Sequence, residues 1–303
     1  MVVNGSRRYR PRVTLLLAGP LLLAPLLAAF AAAPPTLTYS VPQGDGVKAL
    51  TDYQFNRYEA KDVVYVATPH TFLYPEGRAA AEPGREVVPG TKVTIGAVGA
   101  TAESLEGRVN VWYEVTSPVG TGWIHGGRLT PYAWVADLDQ DGEDELATVV
   151  FGDDFNLRVL VIEPNVRAGG ESWLDLDSAG GAYISQHGGD ATVELLKAGV
   201  AGIPLLHVYS GVEACADFAD YWVSYRSPGP ARLGTLRTAL ALSGLMDPPS
   251  SSTYEVKFTA KRSLADVTRT TGEHGAAEQV ERARYRLVNG VYKQEGEGGR
   301  VER

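Results

Sequence analysis

Residues 137–145 read DLDQDGEDE, in which Asp137, Asp139 and Asp141 alternate and Gly142 follows at once. Three carboxylates at every second position of a short turn repel one another unless water or a cation takes up the charge. Calcium suits them. A hard cation seeking about six to eight oxygens takes side chains one, three and five of such a loop, and a glycine in sixth place lets the chain turn back and offer the carbonyl of residue seven. Those places fall on Asp137, Asp139, Asp141, Gly142 and Glu143, with Glu145 ninth. The bland alternative is an acidic, solvated turn that keeps a hairpin in water.

An EF-hand would need a bidentate glutamate in twelfth place and a helix on either side, but the twelfth residue is Thr148. The flanks PYAWVA and LATVVFG are short apolar, β-branched runs that read as strands. A D-x-D-x-D-G-x-x-E loop between strands resembles the calcium loop of FG-GAP and VCBS-type repeats, over residues 133–162. The last ligand of that loop is usually Asp, where this sequence has Glu145. The resemblance implies a structural calcium ion held by Asp137, Asp139, Asp141, the Glu143 carbonyl and Glu145. A second stretch, WLDLDSAGG at 173–181, sets Asp175 and Asp177 in a D-x-D frame but continues with Ser178 and Ala179, so it reads as degenerate.

The elements that must position these residues are strands. Residues 62–132 contain β-branched or aromatic runs at VVYVA, TKVTIGAV, RVNVWYEV and GWIHG, parted by Gly and Pro turns, which predicts a small barrel. The order VPGTKV, WYEV, GWI resembles the bacterial SH3-like (SH3b) domain across this whole segment, with insertions at AAAEPGRE and GATAESLEGR, the second widening one hairpin. Such domains commonly bind peptidoglycan stem or bridge peptides. The resemblance implies a ligand face built from Phe72, Tyr74, Tyr113 and Trp134, with Glu114 placed to pair an amine. Trp112 and Trp123 are expected in the barrel core.

From Ala133 to the end the pattern stays β-like, and 192–211 weakly echoes the first unit, hinged on GIP without an acidic loop. The pairs YWVSYRS with LGTLRTALALSG, and TYEVKFTAKRSLADVTRTT with RARYRLVNGVYKQ, read as further strand pairs. Asn289-Gly290 is a strong hairpin signal, and it favours strands over the helix that AAEQVERARYRL permits by propensity. About 170 residues are too few for a complete seven-bladed propeller at roughly 40 residues per blade. An all-β chain is therefore expected: an SH3-like barrel at 62–132, then a β-rich propeller-like or sandwich-like domain at 133–303.

Residues 1–31 carry Arg7, Arg8, Arg10 and Arg12, no acid, and then a long apolar run broken by Gly19, Pro20 and Pro25. With Ala29 and Ala31 framing a cleavage site, they read as a secretory signal peptide. A retained anchor, or a twin-arginine signal on Arg7-Arg8, is the lesser alternative. A linker at 32–61, with room for one edge strand, joins leader to barrel. Losing the four arginines takes the formal net charge from -8 to -12, which disfavours nucleic acid and anionic lipid as partners. Membrane contact is expected only through the leader, if uncleaved. The lone Cys215 cannot form an internal disulfide and reads as a buried, inert thiol.

No metalloprotease, nucleophile-elbow, phosphate-loop, dinucleotide or C-x-x-C spacing occurs. His70, His125, His187, His207 and His274 are scattered. These observations point to an exported, secreted or periplasmic envelope protein that binds peptidoglycan or an envelope peptide or protein and catalyses nothing. A wall hydrolase using unrecognised carboxylates, and a module that meets a partner protein, are the alternatives.

Overall fold

Runs in which Val, Ile, Tyr and Trp alternate with polar residues form strands throughout the described chain, because a pleated strand sends successive side chains to opposite faces. The computed structural model describes residues 36–40, 54–55, 57–106, 108–151, 157–163, 170–176, 189–210, 217–229, 232–245, 250–273, 277–296 and 299–302. The expected leader, Cys215, His187, His274 and Asp177 lie outside them. Among the described residues no helix is long and apolar enough to cross a membrane. Residues 34–303 form one unit, and the strands described in it pair antiparallel.

Two strands fall in the segment read as a linker, β1 (Thr36–Ser40) and β2 (Gln54–Phe55), which pair with each other. β3 (Val63–Val66), β4 (Thr71–Phe72), β5 (Glu86–Val87), β6 (Lys92–Leu105), β7 (Arg108–Ser117), β8 (Gly120–His125) and β9 (Leu129–Thr130) follow. Five of these form one sheet in the order β8-β7-β6-β3-β9, and β4 pairs with β5 beside it. The insertion GATAESLEGR lengthens the β6/β7 hairpin instead of widening it, since pairing continues to Leu105 opposite Arg108. Register shifts between Ile95 and Ala97 and between Val98 and Ala102 mark irregularities in β6, of the kind that bends a strand. The sheet encloses Val64, Val66, Val93, Ile95, Tyr113, Val115, Ile124 and Leu129. Fully burying an aliphatic side chain of this kind contributes about 1.5–3 kcal/mol.

The acidic loop joins β10 (Ala133–Ala136) to β11 (Glu145–Phe151), and β12 (Leu157–Ile162) and β13 (Glu171–Asp175) complete a four-stranded sheet. The remaining strands, β14 (Gly189–Leu196), β15 (Leu205–Ser210), β16 (Asp217–Arg226), β17 (Thr235–Leu245), β18 (Ser250–Thr259), β19 (Leu264–Glu273), β20 (Gln279–Val288), β21 (Val291–Gln294) and β22 (Gly299–Glu302), join β1 and β2 in one eleven-stranded sheet. β1 sits between β2 and β14, so the N-terminal segment is built into the C-terminal half.

Two cores flank this large sheet. Ala147, Val149, Val159 and Val161 of the small sheet pack with Val193, Val208, Tyr221 and Val223 on one side. On the other, Leu205, Trp222 and Leu240 meet Ala265, Val267 and Tyr292. The sheet therefore folds over itself near β17 and β18, where Leu245 pairs with Ser252. The Ser224 hydroxyl donates to the Gly290 carbonyl at 2.7 Å and the Tyr292 hydroxyl to that of Ala201 at 2.8 Å, tying the two layers. Asn289 and Gly290, at φ 53° and 80°, form the turn expected between β20 and β21. The GIP hinge is instead preceded by one helical turn, Ala198–Ala201, closed by Gly202 at φ 93°.

Candidate metal centre

The loop between β10 and β11 is held by its own carboxylates. Asp137 accepts the Asp141 and Gly142 N–H groups through Oδ1 and Oδ2, at 3.0 and 3.2 Å. Asp139 Oδ1 accepts the Asp141 N–H at 3.1 Å, and Asp141 Oδ1 accepts that of Glu143 at 2.9 Å. These bonds curl the chain around the acidic side chains, with Gln140 and Gly142 in left-handed conformations at φ 67° and 97°. A Cβ on Gly142 would meet nothing within 4 Å, so glycine serves the backbone here and not packing.

One carboxylate oxygen each from Asp137, Asp139 and Glu145 lies within 4.8 Å of the others. Two oxygens on opposite sides of one calcium, at about 2.4 Å each, would stand that far apart. Glu145 is 0% exposed; its Oε2 accepts the Leu138 N–H at 2.6 Å, while its Oε1 has no hydrogen-bond partner among the described residues. Asp141 Oδ2 is likewise buried without one. Burial pushes the Glu145 carboxyl up to about 7, against the pull of the Leu138 N–H, and the charges of Glu163, Asp139 and Asp141 add to the rise.

Glu163, just past β12, is a carboxylate that the loop pattern does not contain. Leu146 pairs with Ile162, so one step further along the antiparallel ladder Glu163 stands opposite Glu145. Glu163 is 2% exposed; its Oε2 accepts the Tyr225 hydroxyl at 2.9 Å, and its Oε1 has no hydrogen-bond partner among the described residues. Its carboxyl is raised by burial, with Asp139, Asp141 and Glu143 adding to the rise. The Tyr225 hydroxyl also accepts the Gly234 N–H at 2.7 Å, and Asp139 Oδ2 accepts the Ser227 N–H at 3.0 Å. The loop is thereby fastened to β16 and the connection that follows it.

Buried carboxylate oxygens without donors are costly. Of the residues that carry them, Glu145 comes together with Asp137 and Asp139, whereas Asp141 and Glu163 fall outside that close group. Glu163 was not found from sequence because it lies eighteen residues beyond Glu145 in chain order. Its only sequence signal is a lone acid at the end of an apolar run, LRVLVIE. Asp175, in the degenerate second frame, pairs with Arg158 through two bonds of 2.6 and 3.0 Å.

The five residues expected to form a ligand face do not share one. Tyr113 is 0% exposed and lies in the core of the five-stranded sheet, where its hydroxyl accepts the Tyr58 N–H at 3.2 Å. Alternation along β7 sends Trp112 to the opposite side, against Tyr74, with ring centres 5.0 Å apart. Glu114 is registered with Trp123, and Phe72 with Glu86. Trp134 stacks on Tyr132 at 5.3 Å and packs against the core shared by the small and large sheets. Trp112 is buried as expected, whereas Trp123 is half-buried. His125 is a satisfied structural residue, with Nε2 on the Glu103 carbonyl and Nδ1 accepting the Gly127 N–H. No protein-family model, curated protein or solved structure matches this chain.

Proposed function

We propose that the chain is an exported, non-catalytic binding protein of the bacterial cell envelope, whose ligand is peptidoglycan or an envelope peptide and whose C-terminal half is fastened by a structural calcium ion. The observation that carries the calcium reading is that one carboxylate oxygen each of Asp137, Asp139 and buried Glu145 lies within 4.8 Å of the others, while the buried Glu163 carboxyl adds its charge to that of Glu145. A cation there neutralises carboxylates that otherwise repel one another, and it joins the loop to the end of β12. Since Asp139 also accepts the Ser227 N–H and Glu163 the Tyr225 hydroxyl, the ion would brace the small sheet against the large one.

The envelope reading is supported by the arginine-rich, apolar leader and by the order VPGTKV, WYEV, GWI in residues 62–132. Calcium here is a structural ion, with no role in bond making. The test is co-sedimentation of the purified protein with peptidoglycan, in calcium and in chelator. Pelleting in calcium that weakens in chelator is expected. Failure to pellet in either condition overturns the wall-binding reading, and a melting temperature indifferent to calcium overturns the metal.

A further inference from the structure

The outer face of the small sheet carries a cleft of about 340 Å³ bounded by the β6/β7 hairpin end and the loop after β3, within the size range of small-ligand sites. Register explains its floor and wall: Val150 lies opposite Arg158, and Leu160 opposite Trp173. Val150 and Leu160 are buried, while Trp173 is 56% exposed, with the Arg158 guanidinium 4.2 Å from its ring centre. Arg108 and Arg128 reach in from the five-stranded sheet and the turn after it. Three guanidiniums thus line one cleft of a protein with formal net charge -8.

The charges already facing these guanidiniums are carboxylates. Asp175 holds Arg158 through two bonds, Glu106 pairs with Arg128, whose Nη1 also donates to Thr68 Oγ1 and the Pro69 carbonyl, and Glu171 lines the cleft as a third carboxylate. The side chains of Arg128 and Arg158 are only 14% and 16% exposed, so their charge is poorly screened. Glu106 is different: its side chain is 61% exposed, at the tip of a hairpin with φ 53°. An incoming carboxylate can exchange with it at little cost, since Glu106 returns to water.

We propose that this cleft binds the carboxylate of a peptide ligand, with Arg128 receiving the charge in place of Glu106 and Trp173 covering the adjoining side chains. That the peptide is a wall stem peptide rests on the envelope reading above; the carboxylate chemistry does not. Fork-shaped donors on Arg favour a planar carboxylate, and an exposed indole supplies apolar area at small entropic cost.

The test is calorimetric titration of the full chain with a stem pentapeptide ending in a free carboxylate, with the same peptide fully amidated, and with an unrelated carboxylate-bearing peptide. The free stem peptide is expected to bind, amidation and Trp173→Ala each to weaken it by about tenfold or more, and Glu106→Gln to tighten it. Tightening cannot arise from misfolding, so Glu106→Gln keeps the test decisive if Trp173→Ala is unstable. Equal affinity for the free and amidated peptides, no effect of Glu106→Gln, or no binding of any of the three peptides overturns the cleft. Wall pelleting that survives Trp173→Ala and Glu106→Gln unchanged also overturns it, while leaving the envelope reading intact. Binding of the unrelated peptide that tightens in Glu106→Gln, without wall pelleting, supports the cleft and removes the envelope reading.

Discussion

Glu145 and Glu163 flank the Leu146–Ile162 pair that ends the β11/β12 ladder, both buried and each with one oxygen that no donor among the described residues satisfies. Two like charges in direct cross-strand register destabilise a sheet, and burial sharpens the repulsion. The pair is tolerable in two ways only: one carboxyl keeps its proton, or a cation sits beside them.

Calcium is therefore expected to raise the melting temperature, by an amount equivalent to about 2.7 kcal/mol at one hundred times its dissociation constant. Glu163→Gln should reverse sign with conditions. In chelator the variant melts above the wild type, because the repulsion is gone; in saturating calcium it melts below, because an oxygen ligand or counter-charge is lost. Asp141→Ala should abolish the calcium response. Scanning calorimetry of the three proteins with and without calcium reads all of this, and a Glu163→Gln shift of the same sign in both buffers contradicts it.

Gly142 adopts φ 97° with open space where a Cβ would stand. Gly142→Ala should therefore cost about 1 kcal/mol through backbone strain alone, and weaken calcium binding by tilting the turn. Gly142→Asn, better tolerated at positive φ, should recover part of both. Equal stability of the alanine and glycine proteins in urea denaturation would remove the backbone argument.

Tyr113 offers a control that separates core from surface. Tyr113→Phe leaves the Tyr58 N–H without the hydroxyl that accepts it and should cost about 1–3 kcal/mol. Ligand binding should be unchanged, since the ring is 0% exposed. A loss of affinity without a loss of stability would return Tyr113 to the binding face.

His207 on β15 contacts Glu194 of β14 at 3.0 Å and Asp220 of β16 at 2.6 Å, and stacks flat on Trp222 with centres 4.6 Å apart. Burial lowers the imidazole pKa, but the hydrogen bonds and charges of Asp220 and Glu194 outweigh it and the net shift is upward. A folded pKa above the unfolded value means that this stabilisation is complete below about 6.5 and is lost as pH rises through the folded value. The melting temperature should fall across that interval, and Asp220→Asn should flatten the fall. A slope unaltered in the variant would assign it to other groups.

The all-β class was legible because period-two alternation and Gly, Pro and Asn-Gly punctuation act locally, as at Val63–Val66 and at Asn289-Gly290. The strand, loop, strand setting of Asp137, Asp139 and Asp141 was legible for the same reason. Glu163 was not, because only strand pairing brings it to Glu145. The aromatic face failed at Tyr113 because β7 is buried on both sides, so alternation there cannot distinguish an inner from an outer ring. The register of His207 with Glu194 and Trp222, and the meeting of Arg128 with Arg158, likewise depend on sheets that only the folded chain assembles.

β15 and β16 send Val208, Tyr221 and Val223 into one core and Leu205 and Trp222 into the other. Neither core can melt without stripping a face from the same two strands. The two layers on either side are thus obliged to lose order together, and the amides of β15 and β16 should be the last to exchange with deuterated solvent, their opening coinciding with loss of the whole C-terminal half.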